Sequence, residues 1–394
     1  MYISDSVKYV GVNDRTLDLF ENQYVLEHGM AYNSYLIMDE KIALMDTVDA
    51  RGIEEWSKHV EEALDGRSPD YIVVQHMEPD HSGALAYAAE KYPNATIVGT
   101  AKAFAFMNQF FDIDIADRKL EVKEGDTLSL GKHTLTFMMA PMVHWPEVMV
   151  TYESSEKLLF SADGFGKFGT LDADEDWACE ARRYYFNIVG KYGAAVQTLL
   201  KKASGLEIDK ILPLHGPILD DNLGYYIDLY DKWSSYTPEN KGVFIAYASI
   251  HGNTRKAAEA LADKIRNLGE EKVVLSDLSQ EDIAECVEDA FRYDRMILCA
   301  ATYDGNAFVP MEDFLHHLQI KAYQNRTVGL LENGTWAPIA AKAMRTYLES
   351  MKNITILDEV VSIKSALKPE NEAAMDKLAQ AIVNAGCLLY TSPS

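Results

Sequence analysis

Gln75-His76-Met77-Glu78-Pro79-Asp80-His81 is the stretch on which the reading of this chain turns. It follows the apolar run Tyr71-Ile72-Val73-Val74 and precedes the small residues Ser82-Gly83. A run of Ile and Val that ends in a polar loop reads as a buried strand delivering side chains to a cleft. Within six positions the loop offers His76, Glu78, Asp80 and His81, two imidazoles and two carboxylates. Neutral imidazole nitrogen beside hard anionic oxygen suits a transition metal better than calcium. One histidine alone would read as a solvated loop; four such residues at this density read as a metal site.

Outward from that loop, short runs at residues 8–46 alternate apolar and polar, as in Tyr35-Leu36-Ile37-Met38 and Ile42-Ala43-Leu44-Met45, and predict a β-meander. Helices are expected near 51–66, 82–92 and 101–111, with a short strand at Thr96-Ile97-Val98. Strands return over 127–162, including Thr134-Leu135-Thr136-Phe137-Met138-Met139 and Lys157-Leu158-Leu159-Phe160. One long helix is expected over 175–202, then strand Ile211-Leu212-Pro213-Leu214 and a helix near 222–234. Two layers of mixed strands with helices outside is the simplest packing of that order.

The texture changes at residues 234–242, where polar residues with Pro238 and Gly242 predict a linker. Beyond it, strands near 243–248, 272–275, 295–299, 327–331 and 354–357 alternate with helices near 253–267, 280–290, 310–320, 336–350 and 370–385. Five βα units of this length imply a doubly wound parallel sheet of five strands. The expected domains are residues 1–240 and 241–394, and residues 387–394 match no predicted element.

At 394 residues the chain is long enough for two sizeable cores. Its net charge of −24, from 61 acidic and 37 basic residues, repels nucleic acid and anionic lipid, and neither is expected as a partner. No uncharged apolar run reaches the roughly 18 residues of a membrane span. Cys179, Cys286, Cys299 and Cys387 form no Cys-x-x-Cys pair, which disfavours a zinc ribbon, a fused rubredoxin-like site and a disulfide scaffold. No secretory leader is visible at the N-terminus, so the expected location is cytoplasmic.

Three later residues stand at predicted strand ends or in the loops beside them, where such folds gather functional side chains: His144 in Pro141-Met142-Val143-His144-Trp145-Pro146, Asp163 after Leu158-Leu159-Phe160-Ser161-Ala162, and His215 after Ile211-Leu212-Pro213-Leu214. With these the N-terminal half resembles the metallo-β-lactamase superfamily, whose pattern is His-x-His-x-Asp-His with a later His, Asp and His. The resemblance implies an αββα sandwich. The chain departs at one place, where Glu78 replaces the second histidine, and a carboxylate there hardens the site and favours iron over zinc. The variant resembles the flavodiiron proteins over essentially the whole chain. By that resemblance His76, Glu78 and His144 hold one iron, Asp80, His81 and His215 hold the other, and Asp163 bridges. His81 is the least secure ligand, and His28 is expected as a catalytic donor beside the open metal face.

Gly164-Phe165-Gly166-Lys167-Phe168-Gly169 fits G-x-G-x-x-G, but the acidic stretch after it has no helical apolar rhythm, so it is read as flexible backbone beside Asp163. In the second half, strand Val243-Phe244-Ile245-Ala246-Tyr247-Ala248 runs into Ser249-Ile250-His251-Gly252-Asn253-Thr254 and a helix. Hydroxyls and free amides at a helix N-terminus make a phosphate cradle, and the loop resembles the phosphate loop of flavodoxins, which bind FMN. Thr302-Tyr303-Asp304-Gly305-Asn306-Ala307 and Glu332-Asn333-Gly334-Thr335-Trp336 follow the third and fourth strands, on the carboxyl edge where such sheets bind ligands. They match the flavodoxin loops that flank the isoalloxazine ring.

The resemblance implies an oxidoreductase that carries FMN and two iron ions. It reduces dioxygen to water, nitric oxide to nitrous oxide, or both, and is reloaded by an external carrier such as rubredoxin. It also implies a head-to-tail homodimer or tetramer. Two alternatives compete: a binuclear hydrolase of the β-lactamase fold with a regulatory flavin domain, against which Glu78 argues, and a flavin carrier with an inert metal half, against which the near-complete ligand set argues.

Overall fold

The computed structural model describes residues 2–388, with side chains up to residue 386. The chain divides into two compact units, one running to Tyr185 and resuming over Tyr192–Asp231, the other comprising Phe186–Lys191 and the chain from Lys232 onward.

The first unit holds two facing sheets. One has six strands in the order Val7–Tyr9, Tyr35–Ile37, Ala43–Met45, Tyr71–Val73, Thr96–Gly99 and Lys119–Glu121. The other has five, in the order Thr127–Ser129, Thr134–Met139, Met149–Glu153, Leu158–Phe160 and Lys210–Leu212. Alternate residues point inward, as the two-residue period of a strand requires. Tyr35, Ile37, Ala43, Met45, Val73 and Val98 from the first sheet meet Leu135, Phe137, Met149, Leu158, Phe160 and Leu212 from the second. Among the described residues no helical residue enters that core, so the helices cover the outer faces. Trp56, Val60 and Leu64 form such a buried stripe at every fourth position of helix Ile53–Leu64. This is the expected αββα sandwich.

Two local expectations fail. Residues 8–46 do not form a meander but nested hairpins: Val7 pairs with Ile37, Val12 with Tyr32 and Leu19 with Val25. Alternation fixes which face is buried, not which strand is the partner. The single helix expected over 175–202 is instead Trp177–Tyr184, a π-helical stretch Tyr185–Val189, a 3₁₀ turn Gly190–Tyr192 and helix Gly193–Ala203. Gly190 and Gly193 weaken helix continuity at the break, and residues 186–191 there belong to the second unit.

The second unit is a sheet in the order Val273–Asp277, Asn240–Ala248, Tyr293–Tyr303, Arg326–Asn333 and Ile354–Ile363, parallel throughout. Strand Asn240–Ala248 starts inside the stretch expected as linker. A short sixth strand, Asn306–Ala307, folds back antiparallel on Tyr293–Tyr303. Its two-residue connection, Asp304-Gly305, has φ 48° and 77°, which the Asp-Gly pair tolerates. Helices Asn253–Asn267 and Glu372–Leu388 bury Ala257, Leu261, Met375 and Leu378 against one face. Strand order reverses between Asn240–Ala248 and Tyr293–Tyr303, the switch point at which open α/β sheets form a ligand crevice. Of the tail beyond the predicted elements, Cys387 and Leu388 end the last helix, and residues 389–394 lie outside the described residues.

After strand Tyr71–Val73 the chain turns through the ligand loop into a one-turn helix, Pro79–Ser82, which presents Asp80 and His81. Gly83 ends that turn. A Cβ there would lie 2.5 Å from the Ala50 nitrogen and 3.1 Å from the Asp49 carbonyl carbon. Gly83→Ala therefore forces backbone apart, and we expect it to lower unfolding stability by about 1–3 kcal/mol in urea titration. An unchanged midpoint would contradict this packing.

Candidate metal centre and cofactor pocket

Asp46, at the end of strand Ala43–Met45, organises the ligand loop from beneath. Its Oδ1 accepts from the Gln75 and His76 amides at 2.7 and 3.3 Å, and its Oδ2 accepts from Gln75 Nε2 at 2.9 Å. Burial pushes the Asp46 carboxyl up to about 6, against the pull of the Gln75 hydrogen bonds. On the far side of the turn the His81 carbonyl accepts from Thr47 N at 3.0 Å and Thr47 Oγ1 at 2.7 Å.

All seven predicted ligands converge, in two sets: His76, Glu78, His144 and Asp163, and Asp80, His81 and His215. In the first, Glu78 Oε2 lies 3.3 Å from His76 Nε2 and 2.9 Å from His144 Nε2. In the second, Asp80 Oδ2 lies 3.2 Å from both His81 Nε2 and His215 Nε2. Asp163 joins them. Its Oδ2 is 3.2 Å from His76 and His144, and its Oδ1 is 3.2 Å from His81 and 3.8 Å from His215.

The charge balance of the site is set by these contacts. Burial disfavours charge on His76, yet the Asp163 carboxylate, with hydrogen bonds to Glu147 and Glu78, holds that imidazole well above its ordinary range. Burial likewise opposes charge on Asp163, and the histidines around it, His76 first, keep it well below the carboxylate range. His144 is held up to about 9, the facing Asp163 and Glu78 carboxylates outweighing burial. Burial raises Asp80 to about 7 and lowers His215.

The arrangement fits a cation pair. Both oxygens of Asp80 and of Asp163 are buried without a hydrogen-bond partner among the described residues. The Nε2 atoms of His81 and His215 face each other at 3.0 Å. His215 Nδ1 donates to the Ala31 carbonyl at 2.8 Å, which leaves the Nε2 lone pair of the neutral ring inward. His76 is oriented the same way by Glu147, whose fully buried carboxylate accepts from His76 Nδ1 at 2.8 Å and Met77 N at 2.9 Å. His81 differs: its Nδ1 is buried with no partner among the described residues, so nothing anchors the ring from behind.

His28 does not join either set. Its side chain is 49% exposed and its Nε2 lies 3.5 Å from Glu175, so the expected donor beside the metal face is instead at a solvent-facing pair. The residue that faces the ligands is one the sequence reading passed over. The carboxyl end of Glu21, an otherwise exposed residue, is pushed up to about 7 by burial and by the Glu78 charge. Asp46 and Glu147 were passed over too.

In the second unit a cavity of about 550 Å³ opens at the switch point, within the usual range for ligand sites. Residues 249–251, 253–254, 302–305 and 333–336 line it, joined by Ala301, Ala337, Ile339 and Ser365. Four expected residues do not. Gly252 supplies the left-handed N-cap of helix Asn253–Asn267 at φ 83°. Asn306 and Ala307 form the returning strand. The Glu332 carboxylate turns away to accept from Ala341 N at 2.9 Å and Ser362 Oγ at 2.9 Å. Trp336 and Tyr303 stand on the rim, 90% and 44% exposed. No Lys or Arg lines the cavity among the described residues, so an anionic group there meets the hydroxyls of Ser249 and Thr254 and the amides at the helix N-terminus.

Glu147→Ala leaves the His76 Nδ1–H and Met77 N–H buried and unpaired. We expect metal affinity to fall about 10–100-fold in competition with a chelating dye, with Glu147→Gln, which keeps an acceptor oxygen, losing less. Equal affinity for wild type and Glu147→Ala would contradict this role.

Comparison with known proteins agrees with both halves. Residues 30–216 match a family described as ODP family beta lactamase, and residues 244–360 a flavodoxin domain. An anaerobic nitric oxide reductase flavorubredoxin of Aliivibrio fischeri is 28% identical over 386 residues, covering 95% of this chain and 76% of that protein. Rubredoxin oxygen:oxidoreductase from Desulfovibrio gigas superposes with a TM-score of 0.92 at 27% identity over 100% of both chains. The flavodiiron protein of Giardia intestinalis gives 0.87 at 27% identity over 99% of each. With a buried double His–carboxylate centre on a β-lactamase-like sandwich and a flavodoxin-like unit later in the same chain, this protein belongs to the flavodiiron proteins.

Proposed function

We propose that this chain is an FMN- and di-iron-dependent reductase of dioxygen, nitric oxide or both. One observation carries the reading: Asp163 lies between two sets of buried ligands, and Glu78 adds a third carboxylate to four imidazoles. Nitrogen and hard oxygen donors without thiolate suit iron in a redox role. His76, Glu78 and His144 would hold one iron and Asp80, His81 and His215 the other, with Asp163 between. Residues 249–254, 302–305 and 333–336, with Ser365, would hold FMN. Iron supplies one-electron steps at the bound gas, and FMN supplies electrons in ones or twos.

The protein's own part is to orient, exclude water and manage protons. Glu147 and the Ala31 carbonyl fix the directions of His76 and His215. Phe20, Tyr32 and Tyr184 close around the His215 ring at 5.4–5.9 Å between centroids, which keeps bulk water from that side. The Glu21 carboxyl, raised to about 7 by burial and by the Glu78 charge, would be a proton donor on that side of the site.

We further propose an external donor of the rubredoxin type, a cytoplasmic location, and a homodimer or tetramer in which the flavin of one chain serves the irons of another. In support, proteins similar to this chain include a flavorubredoxin and a rubredoxin oxygen:oxidoreductase. No helix among the described residues is long and apolar enough to cross a membrane.

Three outcomes test the reading. Protein loaded with iron and FMN, reduced without air and challenged separately with each gas, consumes at least one of them; turnover of neither contradicts it. Asp163→Ala, which removes the shared carboxylate, lowers iron content and gas consumption by at least about tenfold; unchanged consumption contradicts the shared role. Because His144 keeps a proton up to about pH 9 and must lose it to bind metal, iron loading at pH 8 releases protons and iron affinity falls as pH is lowered from 9 to 6. A pH-independent affinity would contradict the assignment.

A further inference from the structure

One side-chain amide joins three of the loops around the cofactor cavity. Asn333, only 7% exposed, ends strand Arg326–Asn333. Its Nδ2 donates to the Ser365 carbonyl at 2.8 Å and reaches Thr254 Oγ1 at 3.3 Å, while its Oδ1 accepts from Ser365 N at 3.0 Å. Thr254 lies in the first turn of helix Asn253–Asn267, and Ser365 lies just beyond strand Ile354–Ile363. Ser365 has φ 67°, a left-handed conformation that costs a residue with a side chain about 1–2 kcal/mol. The paired bonds from Asn333 to both backbone groups of Ser365 hold it there, and Ser365 Oγ is fixed on Thr335 Oγ1 at 3.1 Å. Thr254, Asn333, Thr335 and Ser365 all line the cavity.

We propose that Asn333 is a positioning residue for the flavin cofactor. By tying Ser365 and Thr254 together it builds a wall of hydroxyls and one amide. That wall suits the polyol chain and phosphate of FMN, whereas the aromatic rim at Tyr303 and Trp336 suits a ring. The loop after strand Ile354–Ile363 thereby becomes part of the site, although no ligand-type motif in the sequence marks it. The same reach to Thr254 puts the amide at the phosphate end. This inference rests on the flavin reading of the second unit, and its test separates the two.

Flavin-free protein is titrated with FMN and with riboflavin, followed by quenching of flavin fluorescence. Wild-type protein that quenches neither flavin overturns the flavin reading and this inference with it. With wild-type binding in hand, Asn333→Ala weakens FMN by about tenfold or more. Asn333→Asp keeps the oxygen that accepts from Ser365 N, loses both donations and sets a negative charge near the phosphate. It therefore weakens FMN more than riboflavin. Adding Ser365→Gly to Asn333→Ala restores part of the FMN affinity, because glycine takes φ 67° without the penalty. A residue needed only for general stability would show neither the difference between flavins nor that rescue. The proposal is overturned if Asn333→Ala binds FMN within about twofold of wild type, if Asn333→Asp loses both flavins equally, or if the double variant binds no tighter than the single one. Should Asn333→Ala not fold, the comparison of flavins on Asn333→Asp decides.

Discussion

The Asp163 carboxylate is fully buried, and each of its oxygens faces two imidazoles, Oδ2 toward His76 and His144, Oδ1 toward His81 and His215. A buried charge of this kind persists only when it is compensated. Protons on the histidines can supply the compensation, which is why His76 is raised and Asp163 lowered together. Cations would supply it better, since each imidazole could then return to the neutral form that its hydrogen bonds already favour. The surrounding sandwich serves this constraint. Four strand ends and their loops deliver the ligands, Asp46 fixes the loop that carries four of them, and Glu147 and the Ala31 carbonyl aim two rings.

The anchoring is uneven, and the unevenness bears on chemistry. His76 and His215 are held through Nδ1; His81 has no such partner among the described residues. A ring fixed on one side alone can leave its metal at lower cost than its neighbours. The two halves of the centre thus differ in how their rings are anchored as well as in ligands.

Much of this was legible in the sequence, for stated reasons. The ligand loop was visible because four ligating residues crowd six positions after a β-branched run, and the second unit because five apolar strands alternate with helices of regular length. Residues whose function depends on distant partners were not. Glu147 looks like any acidic loop residue until folding buries it against His76. Glu21 is far in sequence from Glu78. Ser365 enters the cavity only because Asn333 pins an otherwise unmarked loop. His28, expected as a donor beside the metal face, pairs with Glu175 at the surface, a partner likewise distant in sequence. Glu332, in the right loop, caps a helix instead of facing the cavity. Nested pairing of residues 8–46 and the broken helix at 185–192 escaped because period alone specifies neither partners nor breaks.

The central claim is that one chain stores electrons in both a flavin and a redox-active metal pair. Anaerobic reductive titration of the iron- and FMN-loaded protein, followed by optical and Mössbauer spectra, measures this directly. The account predicts uptake of about four electrons per chain, two by the flavin and one by each iron. Uptake of two electrons confined to the flavin, with the metal spectra unchanged, would contradict it.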